Sequence, residues 1–262
     1  MDDVKSAIIG SPREIRDYAP VLRWLVVMVL VALAMLTLWR MGLLESVLEA
    51  DHTRISLLIL ALFALTSLHA LYQAFEISRE LVAARKARAA IEAESATGFR
   101  LAGDRVLTGA GTVLEPGILA THAANLLRKA QLGPQGGRLD QTLLLRNVAD
   151  RLRHREKLGL FVSEGLLRLA LLGTAIGFIL MLIPISGLSS FEAETLRGAL
   201  AGMTGGMAVA LNVTVSGIAA ALVLKFEYFQ LDEAIGELFS SIAEVSEIHL
   251  VPAIEKGRDG RA

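Results

Sequence analysis

Two long segments without a formal charge lie in the second half of the chain, and they constrain its fold more than any other feature. One runs from Leu169 to Phe191, and the other runs from Gly198 to Leu224. Both exceed the roughly 20 residues that an α-helix needs to cross a bilayer. Two further apolar runs precede them, from Trp24 to Trp39 and from Ile55 to Phe75. The sequence therefore predicts an all-α, polytopic membrane protein with four transmembrane helices.

The composition agrees with a membrane protein and argues against several kinds of site. Of the 262 residues, 53% are hydrophobic, and the mean hydropathy is +0.53, which is more apolar than ordinary soluble domains. The net charge of −1 gives no reason to expect a nucleic acid partner. The chain has no cysteine, and its five histidines lack the spacing of metal ligands. We therefore expect no enzyme activity, no metal site and no cofactor.

The charges of the connecting segments predict how the helices are oriented. Residues 76–160 contain 14 Lys and Arg, whereas residues 41–54 and 185–200 contain one each. Segments rich in Lys and Arg stay on the cytoplasmic side. Both termini and the long middle segment should therefore be cytoplasmic, with two short loops on the other side.

These features divide the chain into four predicted regions. Residues 1–78 would hold an N-terminal tail and the first two transmembrane helices, and residues 79–160 a cytoplasmic helical region. Residues 161–228 would hold the third and fourth transmembrane helices, and residues 229–262 a cytoplasmic C-terminal helix and tail.

Local patterns refine the cytoplasmic regions. The segment from Glu76 to Ala96 is rich in good helix formers, so we expect it to continue the second transmembrane helix. Residues 98–118 predict a loop or a short extended piece, and residues 139–160 a helix that leads into the third span. The tail carries apolar residues at amphipathic spacing, namely Leu231, Ile235, Leu238, Phe239 and Ile242. Residues 255–262 are expected to be disordered.

Small and hydroxyl-bearing residues recur inside the third and fourth predicted spans. The small residues are Gly173, Gly177, Gly202, Gly206, Ala210 and Gly217, and such residues at helical spacing allow close helix packing. Thr174 and Thr214 lie among them, and Asn212 and Ser216 occupy a neighbouring face of the fourth span. Spacing alone favours tight packing with each threonine hydroxyl bonded to its own helix. His69, in the second span, is more simply a hydrogen-bonded interface residue than a proton relay.

Two motifs in these spans resemble the MotA/TolQ/ExbB proton-channel family. The run Leu171-Leu-Gly-Thr-Ala-Ile-Gly177 resembles the third-helix motif of that family. The run Gly206-Met-Ala-Val-Ala-Leu-Asn-Val-Thr-Val-Ser-Gly-Ile-Ala-Ala-Ala221 resembles its fourth-helix motif. TolQ and ExbB carry a glutamate where this chain has Val209, and the four-span layout is closer to MotA. The resemblance covers about residues 160–235.

The resemblance implies a stator subunit that forms a homo-oligomeric ring, a pentamer, in the bacterial inner (plasma) membrane. The ring would surround a dimer of a single-span partner of the MotB/TolR/ExbD type, which carries the essential aspartate. Thr174 and Thr214 would line the path of a proton or sodium ion, with Asn212 and Ser216 as weaker candidates. The driven process stays open between flagellar rotation, gliding, transport and phage defence. The alternative is a non-conducting membrane scaffold that packs through its glycine stripes.

Overall fold

A computed structural model describes residues 18–42, 54–94, 98–132, 138–186 and 192–259. About 85% of the structure is helical, which confirms the all-α prediction. The helices are α1 (Ala19–Arg40), α2 (Ile55–Glu94), α3 (Ile118–Leu132), α4 (Thr142–Arg153), α5 (Lys157–Ser186), α6 (Ala193–Val245) and α7 (Val251–Asp259). A π-helical segment, Ser246–Leu250, joins α6 to α7. Strands β1 (Phe99–Ala102) and β2 (Arg105–Thr108) form an antiparallel hairpin.

Four helical stretches are long and apolar enough to cross a membrane. They are α1, α2, the stretch Thr142–Ser186 that contains α4 and α5, and the stretch Ala193–Arg258 that contains α6. Long runs of uncharged residues make these helices, and their large side chains remain exposed. Leu171 is 69% exposed and Leu222 is 62% exposed. Exposed leucines at such positions suit a lipid environment, where no water has to be ordered around them.

The described residues fall into two compact units. The apolar unit holds the described residues within Arg23–Tyr72 and Glu156–Phe229, and the hairpin unit holds those within Met1–Leu22, Gln73–Arg155 and Gln230–Ala262. The core of the apolar unit is made by buried residues of α2, α5 and α6. These are Ile59, Leu166, Val209, Val213, Ala221 and Leu224. Helices α2 and α6 each contribute residues to both units.

The hairpin unit packs short elements around the polar halves of α2 and α6. Its hairpin turns at Gly103, whose φ of +63° favours glycine. The loop or short extended piece predicted for residues 98–118 is this hairpin, from Phe99 to Thr108, followed by a connection that ends where α3 begins at Ile118. The predicted amphipathic tail is confirmed, since Leu231, Ile235, Leu238 and Ile242 are buried and Phe239 is half-buried. The prediction that α2 continues the second span is confirmed as far as Glu94.

The prediction that residues 139–160 are helical and lead into the third span is confirmed from Thr142 onward, with an interruption at 154–156. The N–H of Arg155 donates to Leu152 O at 3.2 Å in that turn. The prediction that the tail is disordered from residue 255 is wrong as far as Asp259, where α7 ends, and residues 260–262 lie outside the described part of the chain. Helix α7 is held by burial of Ile254 and by Glu255, whose Oε1 accepts the N–H of Leu139 at 2.7 Å.

Candidate functional site

Small residues bring α5 and α6 to backbone distance inside the apolar unit. A Cβ placed on Gly177 would lie 2.6 Å from the nitrogen of Ala210, and one on Gly206 would lie 2.7 Å from the Cα of Met181. Real Cβ atoms do not approach so closely, so a side chain at either glycine would push the two helices apart. The two helices can therefore pack this closely only because these positions carry no side chain.

The remaining small residues extend this contact along both helices. A Cβ on Gly173 would lie 2.9 Å from Val213 Cβ, and one on Gly202 would lie 2.6 Å from Pro184 Cγ. A Cβ on Gly217 would lie 2.6 Å from Ala170 Cβ. Every small residue singled out in the sequence thus lies in the α5–α6 contact, which we call the glycine seam: Gly173, Gly177, Gly202, Gly206, Ala210 and Gly217.

Thr174 and Thr214 lie beside the glycine seam, each directly after a residue of the Gly173–Val213 pair. The Thr174 hydroxyl donates to Leu171 O at 2.6 Å, and the Thr214 hydroxyl donates to Ala210 O at 2.8 Å. Both threonines are half-buried. Their single hydroxyl protons are used within their own helices, but the hydroxyl oxygens can still accept a hydrogen bond from water or a hydrated ion. Such an oxygen can guide an ion and cannot itself carry a proton at neutral pH.

Asn212 and Ser216 are half-buried on α6, between the seam residues and the exposed face. Their neighbours Leu211 and Val215 are largely exposed, at 58% and 66%. The structure places both polar residues on α6 without bringing them to Thr174 through a hydrogen bond.

A second polar group in the apolar unit centres on Glu227, which the sequence did not single out. Glu227 is only 4% exposed, and the Ser67 hydroxyl of α2 donates to its Oε1 at 2.9 Å. The Ser67 hydroxyl also lies 3.6 Å from the sulfur of Met28. The indole of Trp24 lies near the same carboxyl. The Trp24 Nε1 and Glu227 Oε2 atoms are both buried, and neither makes a hydrogen bond of normal geometry.

The residue after Glu227 forms a second contact with α2. The Tyr228 hydroxyl lies 2.8 Å from His69 Nδ1 and 3.4 Å from the carbonyl oxygen of Thr66. The prediction that His69 is hydrogen-bonded at a helix interface is confirmed. The Tyr228 ring lies against Gly159 of α5, where a Cβ would overlap the ring. Ser67, His69, Glu227 and Tyr228 together form what we call the α2–α6 polar cluster.

One signal in the sequence could have found the α2–α6 polar cluster. Glu227 lies three residues after Leu224 and four before Leu231, and both leucines are buried. An acidic residue in phase with a buried apolar stripe is placed on the inner face of its helix. Glu227 lies about one helical turn beyond Leu224, the last residue of the charge-free segment, and is therefore not among the residues of that segment.

The hairpin unit contains a separate buried polar group around His122. Its Nε2 lies 3.1 Å from Ser246 Oγ and 3.4 Å from Gln141 Oε1. Burial lowers the pKa of His122, because the charged imidazolium loses water, while the hydrogen bond with Gln141 acts in the opposite direction. These three residues tie α3 and the start of α4 to the π-helical segment.

Among the residues that the structure describes, no group of three or more His, Cys, Asp or Glu could hold a metal ion. The family models, the curated proteins and the solved structures contain no match to this chain. The candidate functional residues therefore rest on their own geometry.

Proposed function

We propose that this chain is a stator subunit of an ion-driven rotary motor, with the proton as the transported ion. The observation that carries the proposal is the glycine seam with its two adjoining threonines. It joins two apolar helices that contain neither a carboxylate nor a basic group between Gly198 and Leu224 or between Leu169 and Phe191. Within these segments, the two helices offer a passing ion hydroxyl oxygens and no fixed charge.

Because the uncharged parts of α5 and α6 contain no titratable group, a partner must supply one at the same depth in the membrane. In this proposal several copies of the chain, five by the family resemblance, surround a dimer of a single-span partner of the MotB/TolR/ExbD type. An aspartate of that partner would accept and release the proton beside Thr174 and Thr214. The glycine seam supports this arrangement, since a rigid pair of helices can bear torque without separating.

The proposed setting is the bacterial inner (plasma) membrane. The four long apolar helices would span it, and the basic segment 76–160 would keep the hairpin unit and both termini in the cytoplasm. Exposed leucines such as Leu171 and Leu222 would face lipid or neighbouring copies of the chain.

A second candidate function is a non-conducting membrane scaffold. One observation favours it: the hydroxyls of Thr174 and Thr214 are already bonded to carbonyls of their own helices. The glycine seam would then serve only to pack helices within the chain. A scaffold needs no titratable partner and no hydroxyl at either position.

Threonine substitutions in a flux assay separate the two functions. The chain and its single-span partner are reconstituted in vesicles under a pH gradient, and proton uptake is followed with an entrapped dye. Thr214→Val and Thr174→Val keep the shape of the side chain and remove the hydroxyl. For a stator, each should reduce flux at least tenfold, whereas Thr214→Ser should retain most of it.

Thr204→Val is the matched control for these variants. Thr204 lies on the same helix, is exposed, and donates to its own helix at Ala201 O (2.8 Å). It lies outside the seam, so its loss should leave flux unchanged. Normal flux in both Thr174→Val and Thr214→Val, with the complex assembled, would exclude the pore assignment and favour the scaffold.

A further inference from the structure

Glu227 is a buried carboxylate on α6. It lies two residues after Lys225, which ends the uncharged segment Gly198–Leu224. Among the described acidic residues, only Glu156 and Glu227 are buried. The Ser67 hydroxyl donates to the Glu227 carboxyl and the Trp24 indole lies near it, and no charged side chain of the described residues is hydrogen-bonded to it. A carboxylate that is buried with no positive partner strongly favours its neutral, protonated form.

The hydrogen-bonding groups around Glu227 can satisfy both of its protonation states. When the carboxylate is charged, Ser67 donates to Oε1 at 2.9 Å. When the carboxyl is protonated, it can donate to Ser67 Oγ, and the Ser67 proton can turn to the Met28 sulfur 3.6 Å away. The remaining carboxyl oxygen, Oε2, and the Trp24 Nε1 are both buried without a hydrogen-bond partner among the described residues. One proton is thus gained or lost while the neighbouring side chains stay in place.

The same surroundings do not suit a metal cation. Sodium and other hard cations bind five or more oxygen ligands in proteins. Here the described neighbours of the carboxyl are the Ser67 hydroxyl and the Trp24 indole, which can only donate, and the Met28 sulfur lies beyond them at the Ser67 hydroxyl. The chemistry of the site therefore selects a proton.

We propose that Glu227, held by Ser67, is a proton-binding site of this chain, which takes up one proton and releases it without a partner protein. Its part in ion transport rests on the stator function proposed above, where it would act as a relay between the threonine-lined wall and water. The next residue on α6, Tyr228, is also titratable, and its hydroxyl lies 2.8 Å from Nδ1 of His69 on α2.

Infrared spectroscopy on the purified chain in lipid tests this site directly. Protonated carboxyls absorb infrared light at a different frequency from carboxylates. Exposed carboxyls are ionised above about pH 6. The wild type should retain a protonated-carboxyl band above that pH, and the band should be lost in Glu227→Gln. Ser67→Ala should shift the frequency of the band, since it removes the hydrogen-bond partner of the carboxyl.

Glu233→Gln is the matched control, because Glu233 lies six residues further along α6 and is exposed. It should leave the band unchanged. A wild-type protein without the band, or a band that persists in Glu227→Gln, would overturn the proposal. If Glu227→Gln does not fold, the comparison of the wild type with Ser67→Ala decides, and a band insensitive to Ser67→Ala overturns the proposal as well.

The infrared measurement needs no partner chain and no ion flux, so it is independent of the stator function. A band assigned to Glu227 in a protein that conducts no protons supports the binding site and rejects the stator. With a conducting complex, Glu227→Gln should also lower proton flux severalfold at equal protein level.

Discussion

Gly206 lies directly against Met181, so that the backbones of α6 and α5 meet without an intervening side chain. A Cβ on Gly206 would lie 2.7 Å from the Met181 Cα. The neighbouring Gly205 is different, because a Cβ there would meet nothing within 4 Å. Two consecutive glycines thus occupy opposite environments on one helix, and only one of them is required by packing.

Substituting alanine at these two glycines should give opposite effects on stability. Gly206→Ala should destabilise the protein by about 1–3 kcal/mol or more, because two backbones must separate to admit a methyl group. Gly205→Ala should be neutral or stabilising by about 0.5–1 kcal/mol, since alanine has less conformational freedom to lose. The melting temperature of each variant in detergent checks this. Equal melting temperatures for the two variants would contradict the close contact at Gly206.

Gly159 makes room for the Tyr228 ring, and its substitution should displace that ring. Gly159→Ala should cost about 1–3 kcal/mol and break the 2.8 Å contact between Tyr228 and His69. Gly165→Ala is the control on the same helix, because a Cβ there would meet nothing within 4 Å.

A double-mutant cycle identifies the cause of the Gly159 effect. In a Tyr228→Ala background the ring is absent, so Gly159→Ala should have little further effect on the melting temperature. Additive losses in the double mutant would mean that Gly159 acts through some contact other than the Tyr228 ring.

The membrane-spanning helices could be predicted from the sequence because one requirement defines them: an uncharged, apolar segment long enough to cross a bilayer. A segment such as Gly198–Leu224 has no charge to solvate, and its length alone predicts a membrane-crossing helix. The buried stripe of the tail was equally predictable, since Leu231, Ile235, Leu238 and Ile242 repeat at helical spacing.

Features that depend on which helices are neighbours could not be predicted in this way. Nothing in the local sequence of Glu227 indicates that Ser67, 160 residues away, donates a hydrogen bond to it. The turn at 154–156 and the α7 contact of Glu255 with Leu139 also depend on tertiary packing. The roles of Thr174 and Thr214 in ion passage remain predictions, because their hydroxyl bonds fit either a pore or a packed interface.

Glu80 caps α3 from a different helix, and its loss should loosen the hairpin unit. Its Oε2 accepts the N–H of Ile118 at 2.9 Å, at the first residue of α3. Glu80→Ala should cost about 1–2 kcal/mol, because it leaves that N–H without an acceptor and removes a negative charge from the start of the helix. The readout is the rate of proteolytic cleavage within residues 98–132.

Glu76→Ala serves as the control for Glu80→Ala. Glu76 lies one turn earlier on α2, is half-buried, and pairs at 3.7 Å with the exposed Arg79, an arrangement that contributes at most about 1 kcal/mol. Its cleavage rate should match the wild type. Equal protection of Glu80→Ala and wild type would exclude a capping role for Glu80.

His122 should make the stability of the hairpin unit depend on pH. Burial lowers its pKa in the folded protein below the value of about 6.5 in an unfolded chain. The unfolded state therefore binds the proton more readily, and stability is complete above about pH 6.5 and falls as the pH drops below it. The loss can reach about 1.4 kcal/mol per pH unit for a single group.

Melting temperatures between about pH 5 and about pH 8 measure this dependence. His122→Gln cannot be protonated in this range, so its melting temperature should vary less with pH, although the lost packing lowers it at every pH. His154→Gln is the control, because His154 is exposed and should not change the slope. A wild-type slope that survives in His122→Gln would assign the pH dependence to another group.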